Sequence, residues 1–192
     1  TLWDEKEKRI VNNESSEIIR MFNSEFNEYS ENHYDYYPNE LRNEIDNINE
    51  LIYSKVNNGV YQAGFSSNQA AYEEAFDALF DAFEMLEDRL SKQRYLCGER
   101  ITEADWRLFP TLFRFDAVYH YAFKCNKKHL YQYPNLWGFT RDLYQQPGIA
   151  EICYLEEAKL GYWSGPKINP LGTIPKGPDV DFDERHDRDR FN

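Results

Sequence analysis

The groups best suited to nucleophilic chemistry in this sequence are its three thiols, Cys97, Cys125 and Cys153. A reactive cysteine needs its pKa lowered by a helix N-terminus or by neighbouring cations. None of the three has that setting: Cys97 precedes Gly98 where a helix ends, Cys125 follows Lys124 after another helix, and Cys153 lies inside an apolar pattern. All read as packed, inert thiols. Their odd number and the absence of a short paired spacing argue against a disulfide framework and against zinc. His33, His120, His129 and His186 are scattered. No pair stands at helical ligand spacing beside an acid, so neither a metal nor a catalytic base is expected, and the four read as solvated. Lys127-Lys128-His129 is too small for a nucleic-acid patch and suits a helix C-terminus. Glu14-Ser15, taken alone, is a helix cap. Each of the 15 tyrosines, taken alone, is an amphipathic core or surface residue.

The elements that must position these groups are mostly helical. Leu2-Trp3, a charged turn from Asp4 to Lys8, and Ile10-Val11 read as a short hairpin. A lone two-stranded hairpin is marginal in water, so these strands are expected to belong to a larger sheet, and Thr1 not to be the natural start. From Ser15 the period becomes helical, with Ile18, Phe22, Phe26 and Tyr29 on one face and an end near Glu31. Pro38 suits the first turn of a second helix carrying Leu41, Ile45, Ile48, Ile52 and Val56, which Asn58-Gly59 would terminate. A third opens near Asn68 with the seam Tyr72, Phe76, Leu79, Phe83, Leu86 and Leu90. Thr102 and Asp105 form a capping box, with Ile101 and Trp106 as its hydrophobic staple. Behind it, Pro110 should kink the helix before it resumes through Phe113, Ala117 and Tyr121. Helices follow over 134–145 and 147–160, and the stretch after Gly161 reads as extended, partly disordered and draped over the surface. The expected architecture is all-α, a bundle of about six helices preceded by a hairpin.

With 41% hydrophobic and 17% aromatic residues, the 192-residue chain is sized for one ordinary domain plus ragged ends. The 34 acidic residues against 22 Lys and Arg give a net charge of -12, which repels nucleic acid and acidic membranes. No apolar run approaches the roughly 20 residues that span a bilayer, and nothing resembles a signal peptide. With unpaired cysteines, this points to a reducing, cytoplasmic setting.

Several stretches carry a family resemblance when taken in order. They are Asn12-Asn13-Glu14-Ser15-Ser16-Glu17-Ile18-Ile19-Arg20, Asn57-Asn58-Gly59-Val60-Tyr61-Gln62-Ala63-Gly64-Phe65, the cap from Thr102 to Trp106, Tyr119 to Cys125, Tyr133-Pro134-Asn135-Leu136-Trp137, and Ile168-Asn169-Pro170. Together they resemble the glutathionyl-hydroquinone reductases, the xi-class, omega-like glutathione transferases. The resemblance implies a glutathione transferase C-terminal-type helical bundle: residues 1–31 as the remnant of a thioredoxin-like domain (the hairpin and its last helix), 32–160 as the helical domain, and 161–192 as an extended tail. It implies glutathione-dependent reduction of glutathionyl-hydroquinones, with thioltransferase or dehydroascorbate reductase chemistry as lesser activities. The catalytic Cys and a cis-Pro would precede Thr1, leaving this chain inactive by itself.

The resemblance also assigns residues. Glu14 and Ser15 match the pair that holds the γ-glutamyl end of glutathione, a carboxylate for its ammonium and a hydroxyl with helix N-terminal amides for its carboxylate. Tyr119, Tyr162 and Tyr37 match tyrosines that bind the quinol, where phenolic donors and an aromatic wall suit a flat diol. Around Tyr162 the chain departs from the family's His then Tyr-Tyr and its later Ser-His, having Gly161-Tyr162-Trp163 and Ser164-Gly165, so substrate preference is expected to differ. Glutathione is the implied co-substrate without a metal, and a homodimer the implied assembly. The alternative is a non-catalytic glutathione transferase-like domain for interaction or ligand binding, since fold alone does not settle function.

Overall fold

A computed structural model describes residues 1–30 and 33–191. The helix end expected at Glu31 and the tail's last residue, Asn192, lie outside them. The chain opens with an antiparallel hairpin, β1 (Leu2–Asp4) and β2 (Arg9–Asn12), pairing Trp3 with Ile10 and Asp4 with Arg9. Asp4 Oδ1 accepts from the amides of Lys6 and Glu7 at 2.9 and 2.8 Å, which fixes the turn. The rest is helical: α1 (Ser15–Ser24), α2 (Arg42–Leu51), α3 (Gly59–Gly64), α4 (Gln69–Leu90), α5 (Glu103–Arg114), α6 (His120–Ala122), α7 (Pro134–Tyr144) and α8 (Leu155–Trp163).

The core forms where the apolar seams meet. Leu79, Phe83, Leu86 and Leu90 of α4 are essentially inaccessible, as are Ile45 of α2, Leu108 of α5 and Phe139 of α7. The Asn68 side chain caps α4 by accepting from Ala71 N at 2.9 Å. The capping box of α5 is present. Asp105 Oδ2 accepts from Thr102 N and Oγ1 at 2.7 and 2.9 Å, and Oδ1 from Leu96 N at 2.8 Å, so the carboxylate ties the preceding loop to the helix.

Several elements differ from the sequence expectation, each for a local reason. α1 stops at Ser24, whose hydroxyl turns back onto the Arg20 carbonyl, and a single 3-10 turn, Asn27–Tyr29, follows. Phe22, Phe26 and Tyr29 stay exposed, so no apolar burial extends the helix. Asn58-Gly59 does not terminate α2. A π-helical turn, Ile52–Asn57, leads into α3, with Gly59 as its buried first residue against Leu79 of α4. α5 runs through Pro110 to Arg114, and the irregularity comes later, as a π-helical turn over Phe115–Tyr119 whose five residues are all buried. The last helix starts at Leu155 rather than Pro147, because Gly148 at φ +80 turns the chain out of helical register.

The tail and the histidines also depart from expectation. Phe182 sinks among Phe113, Trp137 and Tyr144, with centroids 4.9 to 5.2 Å apart. Arg188 is fully buried, and its Nη2 donates to the carbonyls of Leu90, Gln93 and Arg94 at 2.8, 2.6 and 2.9 Å. This cation supplies the acceptors at the end of α4 with a donor. Lys124, at φ +58, helps reverse the chain after α6 and so lays His129 on His120, rings 10° from parallel at 3.7 Å. His129 Nδ1 stands 3.4 Å from buried Asp116, and His186 Nε2 stands 3.5 Å from buried Asp142. These three imidazoles are therefore packed, not solvated.

Candidate functional site

Three phenols converge at one end of the bundle. Tyr61 comes from α3, Tyr119 closes the second π-helical turn, and Tyr162 lies on α8. Their hydroxyls form a triangle: 2.5 Å between Tyr61 and Tyr162, 2.9 Å between Tyr119 and Tyr162, and 3.4 Å between Tyr61 and Tyr119. Phe123 is the floor, with its centroid 5.3 Å from those of Tyr61 and Tyr119 and 6.0 Å from that of Tyr162. Gly64 lets α3 approach this ring, since a Cβ there would fall 2.4 Å from Phe123 Cγ.

The triangle is graded in exposure. Tyr119 is 1% exposed and Tyr61 38%, so the cluster opens on the Tyr61 side. Burial pushes the pKa of Tyr119 far up, and its hydrogen bonds to Tyr162 and Tyr61 add to this; burial also raises that of Tyr162. Both are neutral phenols at neutral pH. A hydroxyl that donates once and accepts once within the triangle keeps a lone pair for an incoming donor. The arrangement suits a flat aromatic bearing hydroxyl groups, edge-on to phenolic oxygens and beside aromatic faces.

The other assigned residues lie elsewhere. Glu14 is the N-cap of α1, its carbonyl accepting from the amides of Glu17 and Ile18 at 3.1 and 3.0 Å. Its carboxylate makes no cap bond, and neither it nor the Ser15 hydroxyl has a hydrogen-bond partner among the described residues. Both are exposed at a helix N-terminus, the end whose amides and dipole favour an anion. Tyr37 is not brought to the phenol cluster: its hydroxyl donates to Asp46 Oδ2 at 2.8 Å, and its ring lies 3.8 Å from the Arg20 guanidinium. Tyr61, which no single-residue argument picked out, takes the third place. Its signal was its position inside the Asn57 to Phe65 stretch.

None of the thiols is set up as a nucleophile. Cys97 and Cys125 are buried, and burial pushes both pKa values up to about 12; that of Cys153 is raised for the same reason. What the chain presents is thus a triangle of phenols, an exposed helix N-terminus and three thiols held protonated. Among the described residues, no helix is long and apolar enough to cross a membrane.

Comparison with known proteins assigns the fold to a family. Residues 69–142 match the model of the glutathione S-transferase C-terminal domain. The chain is 52% identical over 178 residues to the glutathionyl-hydroquinone reductase PcpF of Sphingobium chlorophenolicum, covering 92% of this chain and 57% of that protein. It is 50% identical over 189 residues to the glutathionyl-hydroquinone reductase YqjG of Escherichia coli K12, covering 98% and 58%. The glutathione-bound structure of YqjG superposes with a TM-score of 0.95 at 49% identity, over 97% of this chain and 61% of that one. A xi-class transferase from Natrialba magadii gives 0.95 at 46% identity, over 98% and 58%. Over nearly its whole length the chain is similar to xi-class glutathione transferases. The chain spans less than two thirds of the length of the curated relatives it matches.

Proposed function

We propose that this chain is the acceptor-binding, helical part of a protein that reduces glutathionyl-hydroquinones to hydroquinones at the expense of glutathione. The observation that carries the reading is the phenol triangle of Tyr61, Tyr119 and Tyr162, taken with relatives that bear the reductase name. A thiolate outside these 192 residues attacks the sulfur of the conjugate. The sulfur–sulfur bond forms as the carbon–sulfur bond breaks, and the electron pair left on the ring carbon takes up a proton to give the hydroquinone. A second glutathione thiolate then attacks the mixed disulfide, releasing oxidised glutathione and restoring the enzyme thiolate.

In this reading the chain contributes orientation. Glu14, Ser15 and the first amides of α1 hold the γ-glutamyl end of glutathione. The three phenols hold the quinol hydroxyls and place the ring for attack. Tyr37 has no part in the acceptor pocket, because its hydroxyl and ring are already engaged. Residues 1–31 close a thioredoxin-like unit, 32–160 form the helical domain and 161–192 its tail. A homodimer and a cytoplasmic location belong to the same proposal.

The test uses the full-length protein and a glutathionyl-hydroquinone. Tyr61→Phe, Tyr119→Phe and Tyr162→Phe each remove one hydroxyl, a change worth about 0.5–1.5 kcal/mol. Each should lower kcat/KM about 2- to 13-fold while leaving glutathione affinity unchanged. Turnover unaffected by all three substitutions would rule out the phenols as the acceptor site. Absence of turnover in the wild type would leave a ligand-binding domain.

A further inference from the structure

α1 carries Glu14 and Ser15, yet none of its residues is buried. The contacts that tie it to α2 and α5 include polar ones. Arg20, in the middle of α1, reaches a carboxylate on the first turn of α5. Its Nε lies 3.2 and 3.1 Å from Glu103 Oε1 and Oε2, and its Nη2 lies 2.8 Å from Oε1. The Glu103 side chain is 6% exposed and also accepts from Asn49 Nδ2 of α2 at 2.9 Å. The same Arg20 Nη2 reaches Asp46 Oδ1 of α2 at 2.6 Å. The Glu103 contact, above all, raises the Arg20 pKa, so the guanidinium is permanently charged.

A second tie lies one turn on. Asn23 Oδ1 accepts from Tyr36 N at 2.8 Å, and Glu103 N donates to Tyr36 O at 2.8 Å, so one residue bridges α1 and α5. A buried carboxylate served by donors from two other helices is rigid while complete and costly when broken. From Arg20 to Ser15 is about 7.5 Å along the helix axis. A tilt of about 10° at Arg20 would move the N-terminal amides by about 1 Å, enough to carry them out of hydrogen-bond range of an oriented ligand.

We propose that Arg20 and Glu103 are positioning residues for glutathione, their ion pair setting the N-terminus of α1 against the bundle that holds the three phenols. The inference rests on the assignment of the γ-glutamyl end to Glu14 and Ser15. Neither side chain touches ligand; the pair acts through the direction of α1.

The experiment measures two ligands separately on the full-length protein: the Kd of glutathione by calorimetric titration, and the inhibition constant of the hydroquinone product. Glu103→Gln and Arg20→Met should weaken glutathione about tenfold or more, the loss of one hydrogen bond to a charged group. Arg20→Lys, which keeps the charge and loses the fork, should fall between Arg20→Met and wild type. The hydroquinone constant should stay within about twofold throughout. Variants that lose thermal stability but bind glutathione like wild type overturn the proposal, as does parallel weakening of both ligands. If Arg20→Met does not fold, Glu103→Gln decides, since it keeps the side-chain shape and an acceptor oxygen. A wild type that binds no glutathione overturns the Glu14-Ser15 assignment and this inference with it; a binding wild type with unshifted variants overturns this inference alone.

Discussion

His120 is 8% exposed beneath His129, and its pKa is pushed down to about 4, first by burial and then by the neighbouring imidazole. The folded state holds it neutral, whereas an unfolded chain protonates it near the ordinary value of about 6.5. The unfolded state therefore gains the proton first on acidification, and stability contributed by His120 above pH 6.5 is lost as pH falls toward 4, by about 2–3 kcal/mol. Asp105 acts oppositely: burial raises its pKa to about 6, so its contribution falls as pH rises toward that value. Subtracting the urea stability of His120→Phe from that of wild type cancels the Asp105 effect. The difference should be flat above pH 7 and shrink by about 2 kcal/mol by pH 4.5; a pH-independent difference would refute the account. At this scale the sequence showed residue types but not their partners. His120 and His129 are nine positions apart, a spacing with no helical meaning until a turn folds one ring onto the other. Tyr37 and Tyr61 looked alike as phenols, and only the contacts of Tyr37 with Asp46 and Arg20 separate them.

The elements that hold the phenols depend on close backbone approach and on widened turns. Gly64→Ala would drive a methyl into Phe123, the floor of the triangle. It should cost about 1–3 kcal/mol of stability and raise KM for the acceptor while leaving glutathione affinity intact. Loss of both in equal measure would mean that the bundle as a whole had loosened. Both π-helical turns lie on the paths to phenols, one leading into α3 with Tyr61 and one ending at Tyr119. Neither was legible, because an extra residue in a turn changes no composition and breaks no apolar seam over a short window. By contrast, the α5 cap and the long seam of α4 were legible, since their partners lie within one turn of helix. Pro147 misled for the complementary reason: it is a good first-turn residue, but Gly148 at φ +80 immediately undoes the geometry that it favours.

At the scale of the whole molecule, the tail is part of the fold. Its charge made it read as solvated, because the acceptors that make a buried arginine tolerable sit at the far end of α4 and cannot be seen from local composition. Burial lowers the Arg188 pKa to about 10, which leaves it charged at neutral pH. Phe182→Ala should cost about 3–5 kcal/mol. Arg188→Met, which strands three carbonyls, should cost at least about 2 kcal/mol. Both are measured by urea denaturation, and a tail that merely lies on the surface would show less than about 0.5 kcal/mol for either. Arg188 follows Leu90 by 98 positions. On the ribosome, the carbonyls of Leu90, Gln93 and Arg94 are therefore synthesised long before the guanidinium that binds them, and they stay hydrated while the following helices are made. The bundle can assemble during translation, but it can be locked only once the tail has left the exit tunnel.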